Sequence, residues 1–313
     1  MKQGDGQNGE VSAAASRRET KTKFLVGLIG EGIQGSRSPA LHEQEARCQG
    51  LTLHYELIDL AEGGQSIADL PRLIDSAQAM GFDGLNITYP CKQVVLPLLD
   101  ELSDEARAID AVNTVVFRDG KRKGFNTDSA GFFIPFRKKF GDISGQTIVL
   151  VGAGGAGAAV AYAVLASGAA RLFIVDRDEA RAKALAQSMA KRFPERILAS
   201  AVEVAPVIKR ADGVIHATPT GMAGHPGLPF DPSLLRSGMW LAEVVYVPLE
   251  TELLRAARER GCRTLDGGGM AVWQAVEAFE HFTGIKPDAA RMETHFRKMV
   301  ADSSQVREWP DSR

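Results

Sequence analysis

A chain of 313 residues, 44% hydrophobic and 24% charged, has enough apolar residues for two ordinary cores and is no disordered polymer. A formal net charge of -2, with no basic stripe, argues against a nucleic-acid binder and leaves an anionic ligand to local capture by hydroxyls or amides. Cys48, Cys91 and Cys262 are widely spaced with no CxxC pair, which fits a reducing cytoplasm and no disulfide framework.

Residues 1–22 are polar without an apolar run, so they read as a disordered arm rather than a secretory signal, and residues 301–313 read as a tail. Between them strand-like and helix-like segments alternate. "FLVGLIG" (24–30) is strand-like and "SPALHEQEARCQ" (38–49) helical, with Pro39 suited to a first turn. "LHYELIDL" (53–60) is strand-like, "IADLPRLIDSAQAMG" (67–81) helical despite Pro71, and "FDGLNITYP" strand-like again. "KQVVLPLLDEL" and "SDEARAID" read as helices. "NTVVFRDGKRKGFNTD" reads as a hairpin turning at Asp119-Gly120.

A second unit is expected from Asp128. Its segments "TIVLVGAGGAGAAVAYAVLASG", "RLFIVDRDEARAKALAQSMA", "GVIHATPTGM", "LAEVVY" and "LLRAARERGCRTLDGG" alternate strand and helix, as in a parallel, doubly wound sheet. The fold class is therefore α/β: an N-terminal domain over 23–127, a Rossmann-type domain over 128–269, and final helices over 270–300 returning to the first. Residues 143–170 lack charge and could match a bilayer in length. A β-branched run, a glycine cluster and an alanine-rich run suit a buried strand, turn and helix better, so no membrane span is expected.

"GAGGAG" places Gly152, Gly154 and Gly157 as GxGxxG, with Ala153 and Gly155 in the same turn. Such glycines permit a tight turn and close approach of a pyrophosphate to a helix N-terminus. The following strand ends at Asp176, 19 residues after Gly157, where a carboxylate would accept the ribose hydroxyls of NAD and repel the extra phosphate of NADP. Arg177 beside it could clamp that phosphate. NAD is expected as the preferred cofactor, with NADP use left open.

The polar clusters "SRSPALH", "NITYPCK", "AVNTVV", "GFNTDSAGF", "GAGGAG", "ATPTGM", "VVYVPLETELL" and "GGGMAVWQA" occur in one order over about residues 24–300. In this set the chain resembles the shikimate/quinate dehydrogenase family. The resemblance implies that Ser36 and Ser38 hold a substrate carboxylate, that Thr88, Asn113 and Gln274 bind ring hydroxyls, and that Tyr246 lies near the substrate. It further implies cofactor contacts at Thr218, Gly267 and Met270, besides the glycine turn. Each side chain has a plainer reading as well. The serines could cap a helix, Thr88, Asn113 and Gln274 could satisfy buried backbone groups, and Tyr246 could simply pack.

Lys92 and Asp128 match the family's catalytic pair. Oxidising a secondary alcohol to a ketone requires the hydroxyl proton to leave as the hydride does; an amine can accept it while a carboxylate orients amine and hydroxyl. Lys92 could instead be a helix-start surface lysine, and Asp128 the N-cap of "SAGFFIPF". Several positions depart from the family pattern. "DRD" (176–178) replaces the Asn-Arg-Thr of NADP-preferring members, and His216 stands where an asparagine usually precedes Ala-Thr. Ala271 replaces a leucine, and Cys91 an aromatic residue that reads as packing rather than redox chemistry.

The resemblance thus implies a cytoplasmic oxidoreductase, monomer or homodimer, that interconverts shikimate, quinate or both with the 3-dehydro ketone. It would serve aromatic amino acid biosynthesis or quinate catabolism, and no metal is expected. Other readings are a related Rossmann oxidoreductase on another substrate, such as an amino-shikimate, or a non-catalytic ligand sensor on this fold.

Overall fold

The computed structural model describes residues 21–305. Of the expected arm and tail, residues 1–20 and 306–313 lie outside the described residues. Lys21 and Thr22, at the end of the arm, are engaged. Lys21 pairs with Asp83, and the Thr22 carbonyl accepts the Thr52 N–H.

The chain runs β1 (Lys23–Gly30), α1 (Ser38–Cys48), β2 (Thr52–Asp59), α2 (Leu70–Ala79), β3 (Gly84–Ile87), β4 (Glu101–Leu102), α3 (Asp104–Ile109), β5 (Thr114–Arg118), β6 (Lys121–Phe125) and α4 (Thr127–Phe140). It continues through β7 (Thr147–Val151), α5 (Gly155–Ala166), β8 (Arg171–Val175), α6 (Glu179–Arg192), β9 (Ile197–Ala201), α7 (Val204–Ile208), β10 (Gly213–His216), β11 (Trp240–Glu243), α8 (Glu252–Glu259), β12 (Arg263–Leu265), α9 (Gly268–Thr283) and α10 (Ala289–Gln305). Two six-stranded sheets result, in the orders β2-β1-β3-β5-β6-β4 and β12-β11-β10-β7-β8-β9.

The second sheet is parallel throughout, the doubly wound order of a dinucleotide-binding fold. Its order reverses between β7 and β10. Their C-terminal ends, Val151 and His216, pair there and open the crevice where ligands of such sheets bind. The uncharged stretch 143–170 resolves into buried β7 and α5, and no helix among the described residues is long and apolar enough to cross a membrane. In the first sheet β1, β2 and β3 run parallel, while β5 and β6 form the expected hairpin. Asp119 and Gly120 take positive φ at its turn.

Two helix expectations are corrected. Residues 92–102 form no α-helix: turns lead into a short 3₁₀ segment at Leu96–Leu98, then β4. Pro97 has no N–H for an α-helical ladder and confines the segment to one tight turn. Pro71, by contrast, sits in the first turn of α2, preceded by a separate 3₁₀ turn, so it starts that helix rather than interrupting one. At the C-terminus α10 continues to Gln305, into the expected tail, because no glycine or proline intervenes to stop it.

Helix α4 bridges the sheets. Its Phe132, Phe136 and Phe140 join the core of the second sheet, where Phe136 and Phe140 pack on Trp240. Helix α9 carries Met270 into the same core at its start, then Phe279 and Phe282 into the core against β1. The two helices approach closely at glycines. A Cβ on Gly131 would lie 2.8 Å from the Gln274 nitrogen, and one on Gly269 2.7 Å from Pro135 Cβ.

Helix α10 is clamped onto α1 by an ion pair. Arg291 donates to both oxygens of buried Glu45 at 2.8 and 2.6 Å, and the Asp288 N–H adds a third bond. Burial alone would raise the Glu45 pKa, but these donors together with Gln49 hold it below its usual value. A depressed carboxylate contributes stability above the ordinary carboxylate range and loses it as pH falls through the folded pKa. Arg291→Ala is expected to cost about 1–3 kcal/mol at neutral pH, the loss shrinking on stepwise acidification. Urea melts of both proteins across that range check it.

Candidate active site

The loop after β3 is bent by Pro90 and carries Lys92. Cys91 beneath it is fully buried among the first sheet's core residues, and burial, with Glu31 nearby, pushes its thiol up to about 11, in keeping with a packing role. The Lys92 carbonyl accepts the Val112 N–H, fixing the loop against the segment that leads into β5. Lys92 is not a solvated helix start. Its side chain is 17% exposed and its Nζ lies 2.5 Å from Asp128 Oδ2. Nor is Asp128 the cap of α4, because Asn126 is, its Oδ1 accepting the Ser129 N–H. The carboxylate is thereby free to face the amine.

Asn113 holds that carboxylate. Both Nδ2 hydrogens are used, on Asp128 Oδ1 and Thr127 Oγ1 at 2.9 Å each, while its Oδ1 accepts the Thr127 N–H at 2.8 Å. Asn113 therefore contacts a ligand only by releasing one of these bonds. Asn86 behind it donates to the Asn113 carbonyl and Thr114 Oγ1 and accepts from the buried Tyr55 hydroxyl at 2.7 Å. Tyr55 also bonds Ser38, and burial raises its phenol well beyond the usual range.

Ser36 and Ser38 lie half-buried at the turn into α1. Ser36 Oγ accepts the Ser38 N–H at 3.3 Å, a weak turn bond, and α1 has no side-chain cap. Asp59, at the end of β2, organises this loop by accepting the N–H groups of Gly32 and Ile33 at 3.0 and 2.9 Å. Burial would raise the Asp59 pKa, yet these amides, Ala61 and Gln34 hold it below the usual range. Thr88 stands half-buried beside β1, filling the space that Gly30 leaves. Gln274 donates to the Ala271 carbonyl at 2.9 Å, on the face of α9 that meets Gly131. Tyr246 packs near Phe296, 6.2 Å between ring centres, and burial raises its pKa with Arg37 opposing.

The glycine turn abuts the lysine. A Cβ on Gly155 would lie 3.1 Å from Lys92 Cδ, so the lysine's stem rests on the turn that opens α5. Gly152 has φ +111°, open only to glycine, and a Cβ there would strike Ala217 O and Thr218 Cγ2. Gly154 faces open space, and α5 begins there without a side-chain cap, leaving first-turn N–H groups for an anion. That cradle fits a dinucleotide pyrophosphate. Asp176 Oδ2 accepts the Ala153 N–H at 2.7 Å, so this amide is already engaged. Arg177 is exposed, and Asp178 caps α6. Gly267 lets the chain entering α9 press against the Val244 and Val245 carbonyls, and Met270 is buried.

Three family profiles match the chain: "Shikimate dehydrogenase substrate binding domain" over residues 28–115, "Shikimate / quinate 5-dehydrogenase" over 136–222, and "Shikimate 5'-dehydrogenase C-terminal domain" over 267–294. A shikimate dehydrogenase (NADP(+)) of Streptomyces avermitilis is 54% identical over 87% of this chain and 94% of its own length. The chain belongs to the shikimate/quinate dehydrogenase family of NAD(P)-dependent oxidoreductases. Within that family, a quinate/shikimate dehydrogenase (NAD(+)) of Corynebacterium efficiens is 48% identical over 87% of this chain and 97% of its own length. The quinate dehydrogenase of Corynebacterium glutamicum in complex with NAD superposes with a TM-score of 0.82 at 46% identity, covering 88% of this chain and 99% of that one.

For a dehydrogenase of this family the sequence reading overlooks Tyr55, Asp59, Asn86 and Thr127. Thr127 stands beside Asp128 in "GFNTD" and Asn86 opens "NITYPCK", so their motifs did mark them. We expect Lys92→Ala to lower kcat by about 10²–10⁴ with little change in substrate KM, as removal of a proton-transfer group should. Steady-state kinetics on protein that still binds the dinucleotide check this. Near-normal kcat would make the lysine an ion-pair residue only.

Proposed function

We propose that the protein is an NAD-preferring dehydrogenase that interconverts shikimate, quinate or both with the 3-dehydro ketone. The observation that carries this reading is the meeting of Lys92, Asp128 and the Gly155 turn in one place. A proton acceptor for the alcohol thus stands beside the cradle for the dinucleotide, which supplies the hydride acceptor when bound. In this reading residues 23–127 and 270–300 form the substrate side, and residues 128–269 the cofactor side.

Each residue then has a task. Lys92 takes the hydroxyl proton, and Asp128, itself held by Asn113, keeps the amine aimed. Ser36 and Ser38 bind the carboxylate through neutral hydroxyls, which suits a sequence without a basic stripe. Thr88 and Gln274 bind ring hydroxyls, Asn113 reaches one by releasing a bond to Asp128 or Thr127, and Tyr246 lies near the substrate. Gly152, Ala153, Gly154, Gly155 and Gly157 form the pyrophosphate turn, with Thr218, Gly267 and Met270 along the rest of the cofactor.

The NAD preference rests on Asp176. The Ala153 N–H fixes one of its oxygens beside the glycine turn, which supports the reading that this carboxylate repels the 2'-phosphate of NADP. The relatives named above include both NADP and NAD enzymes, so the local charge is the argument.

A turnover matrix of shikimate and quinate against NAD and NADP tests the reading. NAD is expected to be better by at least about tenfold in kcat/KM, roughly 1.4 kcal/mol. Equal or better turnover with NADP would hand control of the pocket to Arg177. In the same assays Ser36→Ala should mainly raise substrate KM, since a carboxylate anchor contributes uniform binding. An unchanged KM for both acids would return Ser36 to the turn into α1.

A further inference from the structure

His216 ends β10, Glu243 ends the neighbouring β11, and both side chains are fully buried. Neither belongs to the site described above. The Glu243 carboxylate accepts the N–H groups of Val244 and Val245 at 3.0 and 3.1 Å and the Thr251 hydroxyl at 3.2 Å. His216 Nδ1 completes the set, 2.9 and 3.0 Å from the two oxygens. A carboxylate only accepts, so Nδ1 carries a hydrogen, and in the neutral ring Nε2 is the acceptor. Nε2 lies 2.5 Å from Thr218 Oγ1, whose hydroxyl hydrogen it takes. Thr218 Oγ1 also accepts the Thr220 N–H at 3.3 Å, closing the loop after β10.

This chain of bonds ends at the cofactor cradle. The Thr218 methyl and the Ala217 carbonyl lie where a Cβ on Gly152 would be, at 2.9 and 2.6 Å. Its other branch fixes the Val244 and Val245 peptides, against whose carbonyls Gly267 presses at the start of α9. One carboxylate thus ties the loop after β10 to the turn after β11, on which the entrance to α9 packs.

We propose that His216 and Glu243 are positioning residues for the dinucleotide. They hold the Thr218 hydroxyl as an acceptor toward the cofactor and lock the loop that supports the Gly152 turn. The inference rests on the cofactor reading above and adds to it the pair that sets the loop. It implies that the loop's contribution to affinity passes through the imidazole.

The test measures dissociation constants for NADH and NADPH, by ligand fluorescence, on wild type, His216→Asn, Thr218→Val and the double variant. Apparent Tm and substrate KM are recorded beside them. Asparagine can keep an N–H for Glu243, but its shorter amide has no acceptor at the Nε2 position that meets Thr218. His216→Asn should weaken binding of the preferred dinucleotide about tenfold, the worth of one well-made hydrogen bond. Substrate KM should move less than about twofold, and adding Thr218→Val should cost less than about twofold more, since both break the same link. Affinity within about twofold of wild type in His216→Asn would overturn the proposal, as would losses that simply add. So would an affinity loss that only follows a fall in Tm, which would make the pair a general prop. Should His216→Asn not fold, Glu243→Gln carries the comparison, since an amide there no longer fixes the hydrogen on Nδ1 and so releases the acceptor that faces Thr218; about tenfold weaker binding is expected again, and affinity within about twofold of wild type overturns the proposal. A wild-type protein that binds neither dinucleotide overturns this inference and the cofactor reading together.

Discussion

The Lys92 nitrogen and the Asp128 carboxylate, 2.5 Å apart with side chains only 17% and 8% exposed, impose a demand that the surrounding structure has to meet. Neither charge is stable there alone, and a buried pair is tolerable only when its remaining hydrogen-bonding capacity is also filled. Here Asp128 has its other oxygen on Asn113, whose amide is wholly committed to Asp128 and Thr127. Asn113 is in turn backed by Asn86, Thr114 and Tyr55. Three strands of the first sheet thus contribute to the orientation of one carboxylate.

Close approach supplies the rest. Gly155 leaves room for the lysine stem, Gly131 and Gly269 let α4 and α9 meet at backbone distance, and Gly267 lets the entrance to α9 lean on the strand beside it. Interiors at native density transmit such constraints, because no gap is left to absorb a shift. The Lys92–Asp128 pair and the glycine turn meet at one such contact, the lysine stem on Gly155. Fixed positioning of this kind is what a hydride-transfer site needs, since reacting groups held about an ångström out of place lose much of their rate.

Much of this was legible in the sequence, and for physical reasons. The doubly wound sheet follows from strand–helix alternation, and the hairpin from Asp119-Gly120, because both are local signals. The helix expected over 92–102 failed because apolar spacing outweighed Pro97, which removes a ladder bond the spacing takes for granted. Asp59, Tyr55 and Glu45 were hidden because each is buried by partners far along the chain: Asp59 by the 32–33 amides, Tyr55 by Asn86, Glu45 by Arg291. His216 stood out only as a departure from the family pattern. Its pairing with Glu243 depends on two strands lying side by side, which no local pattern encodes.

The central claim is that Lys92 and Asp128 act as one unit in moving the alcohol proton. A double-mutant cycle on kcat, using Lys92→Ala, Asp128→Asn and both together, tests it most directly. The account predicts that the double variant loses far less, in activation free energy, than the sum of the two single losses, because either change already dismantles the pair. Losses that add, in proteins that remain folded and bind the dinucleotide, would mean that the two residues serve separate steps and would contradict it.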